Sequence, residues 1–333
     1  MRKIPEWLHS GIFYCTVEFF LHLYYNSRRE SARICVRKEG STVMDQKRQS
    51  RLNSEILGFS LFLAMLLLLA SSLLLQLLET GGTALSLSAR LLFKLAVFLL
   101  PVGFVRVSFA KIHMPSAPPA RRSSAGGRLL IAVSSVGLVV ILQILYGSVF
   151  PSSMMAMGVS RETPLWELVL MLFIYVVAPA VLEEIYFRDT VMRALTIHRK
   201  LLALLISSLV FALLHVSLEQ FPIAFLCGLV LGVAYLATGS LGYAVLVHFT
   251  CNLIWYAAEI VRAWSVQAYS IYMQAVFAVC VILLAAGIPT LKSTFGTIFE
   301  DREDAAPASY FWSLPMILFF AVAVLIPIVW QSK

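Results

Sequence analysis

Nine apolar runs, each close to the length that crosses a hydrocarbon layer, dominate what this chain can fold into. They fall at about residues 56–78, 88–109, 129–150, 166–195, 200–218, 222–238, 241–262, 271–290 and 311–330. A helix of about 20 residues spans the roughly 30 Å core of a bilayer. Composition agrees: 60% of residues are hydrophobic and 13% charged, where a soluble domain has roughly a quarter charged. The reading is an all-α polytopic transmembrane helical bundle of about 8–9 membrane helices.

Charge then orients the bundle. The chain carries a net +8, but its bases sit in short connectors between apolar runs. Membrane topology explains that pattern better than nucleic-acid binding, and no nucleic-acid partner is expected. Residues 26–53 hold eight bases, the 80–87 loop none, the 106–128 loop five, and 151–163 only Arg161. His198, Arg199 and Lys200 follow at the next turn, and the "SLEQF" and "TGSLG" connectors hold none. The alternation places residues 26–53 and 196–200 on the cytoplasmic side. Residues 1–53 read as an N-terminal extension with a basic cytoplasmic segment and a weak extra helix over 4–25. Residues 54–333 read as the membrane domain. Cys15, Cys35, Cys227, Cys251 and Cys280 are scattered and indicate neither a disulfide framework nor a thiolate metal site.

Into the middle of this apolar chain the sequence "APAVLEEIYFRDTVMRAL" (178–195) introduces Glu183, Glu184 and Arg188, and two spans downstream carry His215 and His248. Ionisable groups inside a bilayer cost several kcal/mol, so they face the bundle interior and pair. Counting from a turn near His198–Arg199, Glu183 and His215 each stand roughly 22–25 Å up antiparallel helices. His248 and Asn252 stand roughly 12–18 Å beyond the "TGSLG" turn, a difference that tilt absorbs. Glu184 and Arg188 share a face at i,i+4 and read as a brace. Glu183 points about 100° away from Glu184, free to face a cavity. Phe211 lies one turn before His215 and can wall the same site. A carboxylate with an imidazole suits general-base activation of water, and a His–Asn pair suits oxyanion binding.

Three motifs in this order, "EEIYFR" (Glu183–Arg188), "FALLH" (Phe211–His215) and "HFTCN" (His248–Asn252), resemble those of the CPBP family over about residues 160–260. That family holds the type II CAAX prenyl endopeptidases and the Abi-type immunity proteins. The resemblance implies an intramembrane endopeptidase acting on a membrane-associated or prenylated, CAAX-type protein or peptide. It implies that Glu183 and His215 activate water, that His248 and Asn252 bind the oxyanion, and that Glu184 and Arg188 orient or brace the site. A divalent metal such as zinc stays open: Glu183, His215 and His248 are ligand types that zinc accepts, but no HExxH pair is present.

Plainer readings stand beside these. Tyr186, Phe187, Trp255, Tyr256 and Cys251 read as packing, Glu167 and Glu259 as water-facing helix ends, and Gly228 with Gly232 as a close helix contact. A proton-coupled transporter would use Glu183, His215 and His248 as a relay, yet no second copy of the pattern supports it. A non-catalytic membrane immunity or interaction protein of the same fold is the other alternative. The chain is expected to be a multi-pass protein of the cell membrane, with the lipid bilayer and a membrane-associated substrate as partners. Its site is expected within the membrane and accessible from the cytoplasmic side.

Overall fold

The structure is a computed structural model that describes residues 42–78, 83–109, 124–151, 157–196, 199–298 and 312–331. The chain divides into two units, Met1–Gln46 and Lys47–Lys333; the second carries the features described below. The weak helix expected over 4–25, and Cys15 and Cys35, lie outside the described residues.

Every apolar run of the sequence forms a helix, and the described residues contain no strand. In chain order the spans are α1 (Ser50–Leu78), α2 (Thr83–Phe109), α3 (Ala125–Val149), α4 (Leu165–Leu195), α5 (Lys200–Leu213), α6 (Phe221–Thr238), α7 (Leu241–Trp264), α8 (Val266–Ile298) and α9 (Leu314–Gln331). Seven are long and apolar enough to cross a membrane, and α5 and α9 are shorter apolar helices. The protein is an integral, multi-pass membrane protein.

Local chemistry sets several of the ends. Ser124 caps α3 by accepting a hydrogen bond from the Gly127 N–H at 3.1 Å. Pro222 stands in the first turn of α6, where its missing N–H costs nothing. Gly239, at φ 62°, closes the same helix in the left-handed conformation and turns the chain into α7. The loop before α4 is tied down by Arg161, whose guanidinium donates to the Ala263 and Trp264 carbonyls at the end of α7.

α4 is not a uniform α-helix. Phe173–Val177 and Ile185–Met192 are wound as π turns, with α-helical segments between and around them. Pro179 supplies a cause for the first: it removes an i→i−4 bond and crowds the preceding turn, and a wider turn relieves both. Within the second, the Thr190 hydroxyl donates to the Ile185 carbonyl, five residues back, at 3.0 Å. The widened turns flank the segment that carries Glu183 and Glu184.

The bundle packs α3 along α8 and α5 along α6. Gly287 makes the first contact close: a Cβ there would run into Ser134, whose hydroxyl donates to the Leu283 carbonyl at 3.1 Å. Ala132, Val136, Val139 and Val140 of α3 join Leu231, Val247, Cys251 and Cys280 in one buried cluster. Cys251 is 2% exposed within that cluster.

Helix length positions the site. α5 has 14 residues, about 21 Å of helix, against a hydrocarbon core of about 30 Å. Its neighbour α7 has 24 residues, about 36 Å. α5 is therefore much shorter than α7 beside it. This corrects one expectation: α5 ends at Leu213, so His215 sits in the connecting turn rather than inside a span extending to residue 218. The turn bends sharply because Val216 takes φ 51°, a region where a β-branched residue is strained.

Candidate active site

α4 delivers the two glutamates onto different surroundings. Glu184 is fully buried: its Oε2 accepts from Arg188 Nε at 2.9 Å, and its Oε1 lies 2.9 Å from His248 Nδ1 on α7. Arg188, also fully buried, donates through Nη1 to the Ser207 hydroxyl of α5 at 3.0 Å. That hydroxyl in turn donates to the Phe187 carbonyl at 3.0 Å. The remaining nitrogen, Nη2, has no hydrogen-bond partner among the described residues. The guanidinium carbon lies 5.5 Å from the Phe211 ring centre, within the range of a cation–π contact. Two buried charges are thus paired and stitched across α4, α5 and α7, the condition for tolerating them inside a bilayer.

Glu183 has the other surroundings. It lines a cavity of about 1350 Å³ together with His215, His248 and Asn252. Lys94 of α2 stands beside it, with its Nζ 3.9 Å from Glu183 Oε1. His215 is exposed onto that cavity. Its Nδ1 lies 2.8 Å from the Phe211 carbonyl, and its ring meets the Phe211 ring edge-on at 4.9 Å. Phe211 also faces His248 at 6.2 Å and Phe187 at 5.0 Å between ring centres. It is the aromatic wall between the two histidines.

The hydrogen bonds fix which ring atoms remain available. A backbone carbonyl only accepts, so His215 carries its hydrogen on Nδ1. The Glu184 carboxylate, already accepting from Arg188, likewise takes a hydrogen from His248 Nδ1. In both rings Nε2 is the polar atom left over. Asn252, one turn beyond His248, lines the same cavity. The three motifs therefore meet, although on unequal footing: Glu184 and Arg188 form the buried scaffold, and Glu183, His215, His248 and Asn252 form the wall.

Three side chains beyond the motifs take part. Lys94, a cation inside the second apolar run, is the counter-charge beside Glu183. Its signal was present, since a cation in an otherwise apolar span needs an anionic partner. Ser207 holds Arg188, and Gln143 of α3 accepts from Trp255 Nε1 at 2.7 Å on the cavity wall. Nothing in their local sequence separates these two from packing residues. Cys251 and Tyr256 have the structural surroundings expected of them. Cys251 is core, and the Tyr256 hydroxyl donates to the Leu168 carbonyl at 2.6 Å. Gly228 lets α6 lie close to α5, since a Cβ there would stand 3.1 Å from Ser208 and 3.3 Å from Phe211.

For a metal, the donor set decides. Both Glu184 oxygens and His248 Nδ1 are engaged, and the described residues bring no group of three His, Cys, Asp or Glu side chains into position to hold an ion. The residues do not form a metal site in this arrangement, and no step below runs through one.

Residues 164–254 match the family model described as Type II CAAX prenyl endopeptidase Rce1-like. The matched stretch takes in all three motifs, and it supports the family resemblance read from them. No curated protein and no solved structure matches the chain.

Proposed function

We propose that this protein is an intramembrane endopeptidase that hydrolyses a peptide bond in a membrane-associated or prenylated, CAAX-type protein or peptide. The observation that carries the reading is the convergence of Glu183, His215, His248 and Asn252, from α4, the α5–α6 turn and α7, on one cavity. Each histidine is anchored through Nδ1.

The anchors support the following division of roles. His215, tied to a carbonyl, presents an Nε2 lone pair while neutral, so it can orient or accept from a water hydrogen. Glu183 is the carboxylate that takes the water proton as the water oxygen attacks the scissile carbonyl carbon. The carbonyl oxygen then becomes an oxyanion. The Asn252 amide donates to it, and His248, anchored to Glu184 through Nδ1, stands beside it. Collapse breaks the C–N bond, and the proton held on Glu183 passes to the departing amine. Lys94 holds the Glu183 carboxylate against the cavity wall before the substrate arrives.

The test is an unbiased comparison of new protein termini in membranes carrying the parent protein or Glu183→Gln. Termini that vanish with the variant, while its thermal unfolding matches the parent's, support the reading. An unchanged set of termini overturns it. Liposome flux measured on the same two proteins addresses the transporter alternative, which requires flux that Glu183→Gln abolishes.

A further inference from the structure

We propose that α3, which carries none of the three motifs, supplies two positioning residues to the site: Tyr146 holds the turn that carries His215, and Gln143 holds the face of α7 that carries Asn252. The consequence for turnover rests on the hydrolytic reading above; the positioning of the two elements does not.

The α5–α6 turn is the part of the site least secured by its own backbone. Residues 214–220 lie outside both helices, and their bonds are local. Leu214, His215 and Val216 donate to carbonyls in the last turn of α5, and Ser217 accepts from the Gln220 and Phe221 N–H groups. Val216, at φ 51°, stores backbone strain in the middle of the turn. Among the described residues, one hydrogen bond ties this turn to a helix other than the two it joins. The Tyr146 hydroxyl of α3 donates to the Glu219 carbonyl at 2.8 Å. The Tyr146 ring is itself seated against Phe150, with ring centres 4.8 Å apart.

Gln143 stands three residues before Tyr146, on the same face of α3. Its Oε1 accepts from Trp255 Nε1 at 2.7 Å. An indole N–H can only donate, so this acceptor fixes the ring. Trp255 lies one turn beyond Asn252, and both line the cavity. The next helix steadies the same stretch of α7, because the Tyr272 hydroxyl of α8 donates to the Ile254 carbonyl at 2.9 Å. α3 is a firm base for both contacts: it packs against α6, α7 and α8, and Val139 and Val140 lie in the buried cluster shared with them.

One rigid helix thus reaches, with side chains a single turn apart, the two separate elements that must act on one peptide bond. Water held at His215 and an oxyanion held at Asn252 belong to the same tetrahedral carbon, so the spacing of the turn from α7 is a catalytic distance. Such groups have to be held within about 0.5 Å, and a misplacement of about 1 Å can cost a hundredfold in rate. Among the described residues Gln143 lines the cavity and Tyr146 does not, so Tyr146 acts on the reaction through the turn alone. Loosening either contact moves water and oxyanion donor apart while leaving every group of the three motifs in the protein.

The experiment uses the full-length chain in phosphatidylcholine nanodiscs and two substitutions: Tyr146→Phe, which deletes one hydroxyl, and Gln143→Leu, which deletes the amide at similar volume. Amide hydrogen exchange is read peptide by peptide by mass spectrometry. Tyr146→Phe should speed exchange about five- to tenfold over residues 214–221, the loss of one hydrogen bond, and leave 248–258 at the parent rate. Gln143→Leu should do the reverse. On a peptide taken from the comparison of termini, each variant should lower kcat about tenfold to a hundredfold with KM within about twofold of the parent. Trp255→Phe, which deletes the donor of the same bond, should match Gln143→Leu, and the two together should cost no more than either; it also carries that arm if Gln143→Leu does not fold. Unchanged exchange in the named segment, or a rise spread evenly over the protein, overturns the proposal, as does a loss that falls on KM with kcat intact. Exchange needs no turnover, so a parent that cleaves nothing while the two segments loosen separately would sink the hydrolytic reading and leave the positioning standing.

Discussion

Replacing Glu184 tests the scaffold most directly, because two different costs compete in it. In Glu184→Met the Arg188 guanidinium keeps its bond to Ser207 and its place over the Phe211 ring, but it loses its only carboxylate in a fully buried position. Removing one partner of a buried ion pair costs about 3–5 kcal/mol. The same substitution also breaks the interhelical bond to His248, and interhelical hydrogen bonds within a bilayer are worth only about 0.6–1.7 kcal/mol. The orphaned charge therefore dominates, and the variants should fall in a definite order. Glu184→Met loses about 3–5 kcal/mol. His248→Asn, which leaves the Glu184–Arg188 pair intact, loses about 1–2 kcal/mol. The double variant Glu184→Met with Arg188→Met, which removes both charges and keeps the volume, recovers to within about 2 kcal/mol of the parent. Reversible unfolding of the reconstituted protein by a graded denaturing detergent measures all three. The double variant should fold and still cleave poorly, since His248 has lost its anchor. The reasoning fails if Glu184→Met costs no more than His248→Asn, or if the double variant is no better than Glu184→Met.

Other consequences follow from single contacts. Lys94→Met removes the cation 3.9 Å from Glu183, and cleavage should fall about tenfold for each 1.4 kcal/mol of lost positioning with little change in unfolding; parent-level turnover would remove Lys94 from the site. Val216→Asn should raise stability by about 1 kcal/mol in a thermal-unfolding assay, because asparagine adopts positive φ more readily than a β-branched residue; a loss of that size would mean the turn is not strained there. Gly228→Val should cost about 1–3 kcal/mol by pushing α6 off Ser208 and Phe211, and the shift of Phe211 should lower cleavage in parallel; full activity would show that the helix contact is not what sets the Phe211 ring.

What was legible in the sequence was whatever a bilayer forces on a chain locally. A run of apolar residues has few options in hydrocarbon, so the nine helices of the described residues follow from hydropathy alone. Glu183, Glu184, Arg188, His215 and His248 stood out because charge and imidazole are costly in that setting. The helical offset between Glu183 and Glu184 by itself separates a cavity-facing carboxyl from a bracing one. Spacing along a straight helix, however, carries no information about partners on other helices. Only the packed bundle gave Glu184 two partners, Arg188 on its own helix and His248 on α7. Only the packing set Lys94 beside Glu183 and Ser207 under Arg188, because a lysine or serine in an apolar run looks the same whichever neighbour it meets. The early end of α5 was hidden for a related reason: residues 214–218 are apolar enough to continue a helix, and what stops it is a positive φ at Val216 in a turn that borders a cavity. The residues were selected by the solvent they had to survive in, and the site was made by which of them the bundle brought together.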